Sequence, residues 1–271
     1  MGKVISFINQ KGGVGKTTMA FNAAFALAQK GHRVLALDLD PQANLTLLFQ
    51  ADNELNIYHL LVNSIKELKI LHVPAMLGSV LKRATVDLIP SGQELSGFDL
   101  TVSSMTAPRQ LVLKRFLETN TLKDRYDFII IDCPPTLGLL VINALCASDG
   151  VIVPFRADDF SLKGLEHFYQ VISDIEEMGI VRAPEIFLHV PNLVDLRRKL
   201  ECDDLSKIME TIEKENGPGK IFTPFLNKAG LVKSLSGRKS VFDFKSREFH
   251  ELQEKFIGIA SKIEEWSNER V

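Results

Sequence analysis

One ten-residue stretch constrains this chain more than any other: Asn9-Gln10-Lys11-Gly12-Gly13-Val14-Gly15-Lys16-Thr17-Thr18. The apolar run before it, Lys3–Ile8, reads as a buried strand, and the stretch after it, Thr17–Gln29, has helical spacing. Glycines at 12, 13 and 15 let the backbone turn tightly and approach a ligand with no Cβ in the way. The free N–H groups of the following helix make its start an anion site, and a loop of this shape wraps a phosphate chain. On that reading Gly12, Gly13, Val14, Gly15, Lys16, Thr17 and Thr18 cradle the phosphates. Lys16 meets the β- and γ-phosphates, and the Thr17 hydroxyl takes a place on Mg²⁺.

The rest of the chain repeats the strand–helix alternation. Val- and Ile-rich runs at Arg33–Asp38, Val86–Ile89, Phe128–Asp132, Gly150–Pro154 and Ile186–Val190 read as strands buried on both faces. Helical spacing marks Pro108–Thr119, Leu139–Ala147, Leu162–Met178, Leu205–Glu215 and Glu248–Trp266, while Asp52–Arg83 is mixed. The expected fold is α/β, a doubly wound, mainly parallel sheet with helices on both faces, in one domain over residues 1–271. Lys+Arg 32 against Asp+Glu 34 leaves a net charge of −2, which excludes a polybasic protein. No apolar run reaches the ~18–20 residues of a membrane span. Three cysteines without Cys-x-x-Cys spacing, and six histidines without His-x-x-x-His spacing, give no zinc or disulfide framework.

Carboxylates stand where such a sheet presents its ligands, at the carboxyl ends of strands. The second strand ends Leu37-Asp38-Leu39-Asp40-Pro41-Gln42, and the strand Phe128–Ile131 ends in Asp132, followed by Cys133-Pro134-Pro135. A carboxylate at the tip of a buried strand is costly unless it meets a cation or donors, and Mg²⁺ held through water suits Asp132. Asp40 is the candidate for orienting an attacking water, and Asp38 for supporting the loop and the metal shell. Cys133 is a small packed residue.

The phosphate loop departs from G-x-x-x-x-G-K-[ST] in two ways: Gln10 replaces the first glycine and a second lysine, Lys11, opens it. In that form it resembles the deviant Walker A loop of the ParA/MinD family of dimerising ATPases. Asp-Leu-Asp-Pro-Gln-x-Asn-Leu-Thr (38–46), Asp-Cys-Pro-Pro-x-Leu-Gly-Leu-Leu (132–140) and the Leu162–Glu166 helix start are similar to further motifs of ParA members. The resemblance implies an ATP-dependent homodimer in which Lys11 of each chain completes the other's site, with Mg²⁺ as cofactor. It also implies non-specific DNA binding, a ParB-like stimulating protein, and plasmid or chromosome partitioning. Thr223-Pro224-Phe225-Leu226-Asn227 resembles the family's adenine-lining segment, with its Asn one place late. Pro224 and Asn192 are the base-contact candidates.

A DNA surface has two candidate sources. Residues 217–247 carry seven basic groups (Lys220, Lys228, Lys233, Arg238, Lys239, Lys245, Arg247) against Asp243 alone. Arg197-Arg198-Lys199 opens a helix, where positive charge opposes the dipole. The chain starts at its first strand, so no N-terminal helix-turn-helix extension is expected, and location should be cytoplasmic, on the nucleoid when ATP is bound. Two alternatives stand beside this reading: an ATP-switched adaptor for a protein cargo, and a MinD-like membrane-associated regulator. The second is opposed by Glu264, Glu265 and Glu269 in the terminal helix, which anionic lipid would repel.

Overall fold

Burial on both faces decides the architecture. In the computed structural model, which describes residues 1–52, 54–65, 81–82, 85–217, 219–226 and 229–269, the strands join into one sheet. They are β1 (Lys3–Phe7), β2 (Val34–Asp38), β3 (Leu81–Lys82), β4 (Val86–Ile89), β5 (Phe128–Asp132), β6 (Gly150–Phe155) and β7 (Glu185–Pro191). Their order is β3-β4-β2-β5-β1-β6-β7. Every pairing is parallel except that of β3, a two-residue edge antiparallel to β4. Most of the segment Asp52–Arg83, like Lys228 and Asn227, lies outside the described residues.

Alternate residues feed two apolar layers. Val4, Leu35, Leu37, Ile129, Ile131, Val151 and Val153 face one layer, which also holds residues of α3 (Ile57–Ile65), α4 (Val112–Thr119), α5 (Leu139–Ala147) and α6 (Asp159–Glu177). Ile5, Phe7, Val34, Ala36, Ile130 and Ile152 face the other, with α1 (Lys16–Gln29) and the terminal helix. Fully burying each Val, Leu, Ile or Phe is worth ~1.5–3 kcal/mol, so the two layers supply the main stabilisation.

The terminal helix begins at His250 and ends at Asn268, and its stripe of Leu252, Phe256, Ile259, Ala260, Ile263 and Trp266 is buried. Trp266 stacks on Phe187 with ring centroids 4.4 Å apart. It also covers Gly150, where an added Cβ would fall 2.5 Å from the indole. Glu264 binds Lys30 at 2.9 Å and His32 at 2.6 Å. The apolar face of this helix is therefore spent on the domain itself. Among the described residues no helix is long and apolar enough to cross a membrane.

Two helices start earlier than their spacing suggests. α6 begins at Asp159 rather than Leu162, because Asp158 caps it by accepting from the Ser161 N–H at 3.1 Å. The next, α7 (Lys199–Asn216), begins six residues before its apolar spacing at Leu205, at the basic knot expected to open a helix, its first turn held by an Arg198–Glu201 pair instead of apolar packing. Ala229–Ser236 forms α8, which the sequence spacing did not mark.

Candidate nucleotide-phosphate site

The loop after β1 is anchored at both ends by asparagines. Asn9 Nδ2 donates to the Pro154 carbonyl at 2.8 Å, while its Oδ1 accepts from the Lys11 N–H at 2.9 Å. Asn192, just past β7, donates to the Val14 carbonyl at 2.8 Å. Gly13 and Gly15 have φ of 72° and 94°, a region side chains rarely enter. At Gly15 a Cβ would also lie 2.2 Å from Asn192 Nδ2. Gly12 meets no other atom within 4 Å of such a Cβ, so its side of the loop faces open space. The start of α1 has no side-chain cap and no acidic residue in its first turn. Its N–H groups and positive dipole end are thus left for an anion.

Lys16 is 7% exposed and donates to the Lys11 carbonyl at 3.3 Å. Burial lowers its pKa, against the pull of Asp132 and Asp40. Asp132 and Asp38 are register partners at the ends of β5 and β2, and both are fully buried. Their surroundings differ. Asp38 Oδ2 accepts from the Thr46 N–H and hydroxyl at 2.8 and 2.7 Å, and its Oδ1 from the Asp40 N–H at 3.1 Å. Burial still pushes Asp38 up to about 7. Both Asp132 oxygens are shut off from solvent and, among the described residues, have no hydrogen-bond partner at bonding geometry, Thr17 lying nearby. Burial, then the charge of Asp38, holds Asp132 well above the ordinary carboxylate range, while Thr17 and Lys16 draw it back.

An orphaned carboxylate of this kind fits a divalent cation. Among the described residues no cluster of three or more His, Cys, Asp or Glu could hold a metal alone. Mg²⁺ needs no such cage: it binds through one or two carboxylates together with phosphate oxygens and water. Asp132 and Thr17 could hold it, while Asp38 has its oxygens committed to the segment that follows β2. Asp40 is 7% exposed, and its Oδ1 accepts from the Gln42 N–H at 2.9 Å.

Lys11 is held within its own chain. Its ammonium pairs with Asp158 at the start of α6, and Gln10 bonds His167 Nδ1 about two turns into that helix. Burial raises the Asp158 carboxyl, but the Lys11 and Ser161 hydrogen bonds prevail and hold it below its usual value. Asp158 was legible too, since an aspartate just before a helical run is a helix-start signal, but its partner Lys11 was not. Asn9 reaches Pro154, 145 residues on, which spacing cannot reveal, whereas Thr46 bonds Asp38 within its own motif, where the pairing depends on how the segment after β2 folds back.

Asn192 and Pro224 come to the same end of the sheet. Residues 221–226 run beside β7, with the Phe225 N–H donating to Pro191 at 2.8 Å and the Val194 N–H to Phe225 at 3.0 Å. Asn192 spends its amide on the phosphate loop, and the Pro224 carbonyl accepts from Lys255.

The basic candidates divide. Arg197 pairs with Asp195 at 2.8 Å, Arg198 with Asp195 and Glu201, Lys220 with Glu185 at 2.9 Å, and Lys233 with Glu248 at 2.8 Å. Lys199 is exposed at the first position of α7. Arg238, Lys239, Lys245 and Arg247 are exposed and enter no ion pair among the described residues; Lys239 lies 6.0 Å from the Phe244 ring. Ser240 and Val241, in the middle of that turn, bond Asn22 of α1 at 3.2 and 2.9 Å. Gln50, just beyond α2 (Asn44–Leu48), donates to the Arg238 carbonyl at 3.3 Å.

Comparison with known proteins follows the same lines. A family model described as an AAA domain matches residues 2–182. The sporulation initiation inhibitor protein Soj of Bacillus subtilis is 41% identical over 183 residues, covering 65% of this chain and 67% of that protein. The chromosome-partitioning ATPase Soj of Treponema pallidum is 37% identical over 211 residues, covering 77% and 78%. Among solved structures, cobyrinic acid a,c-diamide synthase from Mycobacterium smegmatis with bound ATP analogue and magnesium superposes with a TM-score of 0.76 at 25% identity. That match covers 100% of this chain and 97% of the other. With its phosphate loop built on three glycines, and with relatives matched over two thirds of their length and more, the chain belongs to the ParA/Soj family of P-loop partition ATPases.

Proposed function

We propose that this chain is a Mg²⁺-dependent ATPase that dimerises on ATP, binds DNA without sequence preference and drives plasmid or chromosome partitioning. A ParB-like protein stimulates its hydrolysis and resets the cycle. The observation that carries the reading is the Asp132 carboxylate, fully buried with neither oxygen partnered, beside Lys16 and the uncapped start of α1. A site so arranged in one chain lacks a cation and an anion together, and a magnesium–triphosphate supplies both. When bound, the metal offsets negative charge on the phosphates. Lys16 binds the phosphate chain, Thr17 and Asp132 hold the metal, and Asp40 orients the attacking water and takes up its proton.

Lys11 acts between chains. Its side chain is 34% exposed and its resting partner, Asp158, is 32% exposed, so the pair can part at modest cost. On dimerisation Lys11 leaves Asp158 for the partner's phosphates, where a cation stabilises charge developing at the γ-phosphate, as an arginine finger does. DNA binds through Arg238 and Lys239, extended by Lys245 and Arg247, because charges not already matched within the chain are the ones able to displace counterions. Asn22 ties this turn to the helix that carries the phosphate loop. The ATP-bound protein is then cytoplasmic and collected on the nucleoid.

Asp40→Ala tests the cycle. It should accumulate an ATP-bound dimer, seen by light scattering as a doubled mass; a variant that stays monomeric with ATP would refute it. A second reading, an ATP-switched adaptor for a protein cargo, is favoured by Leu196 and Leu200, which are 57% and 70% exposed around Arg197–Lys199. ATP-dependent retardation of random DNA at two salt concentrations separates the two. A shift that weakens at the higher salt supports partitioning, and no shift at either supports the adaptor.

A further inference from the structure

The segment from Asp38 to Thr46 is closed on itself by a single carboxylate. Asp38 Oδ1 accepts from the Asp40 N–H near the beginning, and Oδ2 accepts from both the N–H and the hydroxyl of Thr46 at the end. The Thr46 hydroxyl has no choice of direction. The Ser91 N–H, just beyond β4, donates to it at 2.9 Å, which leaves its proton for Asp38 at 2.7 Å. Asp38, Ser91, Thr46 and Asp40 are 0%, 0%, 3% and 7% exposed, so water does not compete for these bonds. Between the ends, Ala43 is held at φ 52°, ψ 36°, a left-handed conformation that a non-glycine residue adopts only when its surroundings enforce it.

We infer that Thr46 is a positioning residue for hydrolysis: by fixing Asp38 against both ends of the segment, and itself against β4, it sets where the Asp40 carboxylate stands. This rests on the reading of Asp40 as the group that orients water. Thr46 touches neither phosphate loop nor Asp40 side chain in any bond described, so its effect reaches the chemistry through Asp38 alone. A hydroxyl in this place does what an isosteric methyl cannot, since valine would leave Asp38 Oδ2 one donor short and the Ser91 N–H without its acceptor.

Steady-state hydrolysis with Mg²⁺, and binding of a fluorescent ATP analogue, provide the test on the full chain. Thr46→Val should lower kcat by about ten- to a hundredfold, the scale of a small misplacement of a reacting group. KM and analogue affinity should stay as in the wild type, and Thr46→Ser should recover most of the rate. Wild-type kcat in Thr46→Val, with Asp40→Ala inactive, overturns the inference and leaves the reading of Asp40 standing. Wild-type kcat in Asp40→Ala overturns both. Amide exchange on the wild-type protein needs no variant that must fold. Thr46 lies in the first turn of α2, where its N–H has no partner within the helix, so protection there comes only from Asp38. Slow exchange at Thr46 supports the brace, and exchange at the rate of an open amide overturns it.

Discussion

The carboxyl end of the sheet and the basic turn at 238–247 treat charge in opposite ways. At the sheet end Asp132 is buried with both oxygens unpartnered, and Lys16 is buried beside it. Around the basic segment the charges are exposed, and two candidates that precede it, Lys220 and Lys233, are already matched within the chain. A buried unmatched charge is expensive, so it points to a specific ligand. An exposed charge costs almost nothing, and its pairings are worth little, so it marks a partner only where the chain leaves it unmatched. For the same reason the phosphate site follows from a few residues, and the DNA surface only from a subtraction.

The largest effect that would break this contrast is at Lys16. Lys16→Gln removes the buried cation that a phosphate chain would meet, at a cost of about 2–5 kcal/mol. Equilibrium titration with a fluorescent ATP analogue should find binding abolished at micromolar nucleotide, and retained tight binding would disprove the phosphate-loop assignment. Next is Asp132→Asn, which should raise the melting temperature of the nucleotide-free protein while erasing the stabilisation given by Mg²⁺ and ATP. The sign of the pH dependence follows from the same burial. Asp38 rises from 3.8 to about 7 and Asp132 is raised too, so the folded state binds more protons than the unfolded one. Without nucleotide, the Asp38 contribution is full below pH 3.8 and is lost as pH rises through about 7, and Asp132 acts in the same direction. The slope is at most about 1.4 kcal/mol per pH unit for each group. Thermal melts across that window should show the decline, and Asp132→Asn should flatten it.

Smaller effects belong to the surface. Arg238→Glu with Lys239→Glu should leave ATP-dependent dimerisation intact while weakening DNA binding, with the slope of log affinity against log salt reduced by about two. Unchanged DNA binding would move the surface elsewhere. Lys233→Ala should be the mildest change: its partner Glu248 is 53% exposed, so neither melting temperature nor salt slope should move measurably. If Lys233→Ala proved as damaging as the Arg238–Lys239 pair, internal matching would be no guide to which cations face DNA.

Local sequence determined the parts whose physics is local. Val- and Ile-rich runs with helices between them can bury their surface only as a covered parallel sheet, and β4, β5 and α5 fall at the residues their apolar runs mark. The phosphate loop was legible because glycine, lysine and threonine at fixed steps act through the adjoining backbone. Tertiary structure alone decided which charges remain unmet. Asp38 and Asp132 end similar strands, yet Thr46 donates twice to one, while the other has no hydrogen-bond partner among the described residues and only Thr17 and Lys16 to favour its charge; Lys11 meets Asp158, 147 residues away. Whether the partner is eight residues away or 147, it is chosen by how the elements pack, and a charge acquires its cost only when folding removes its water.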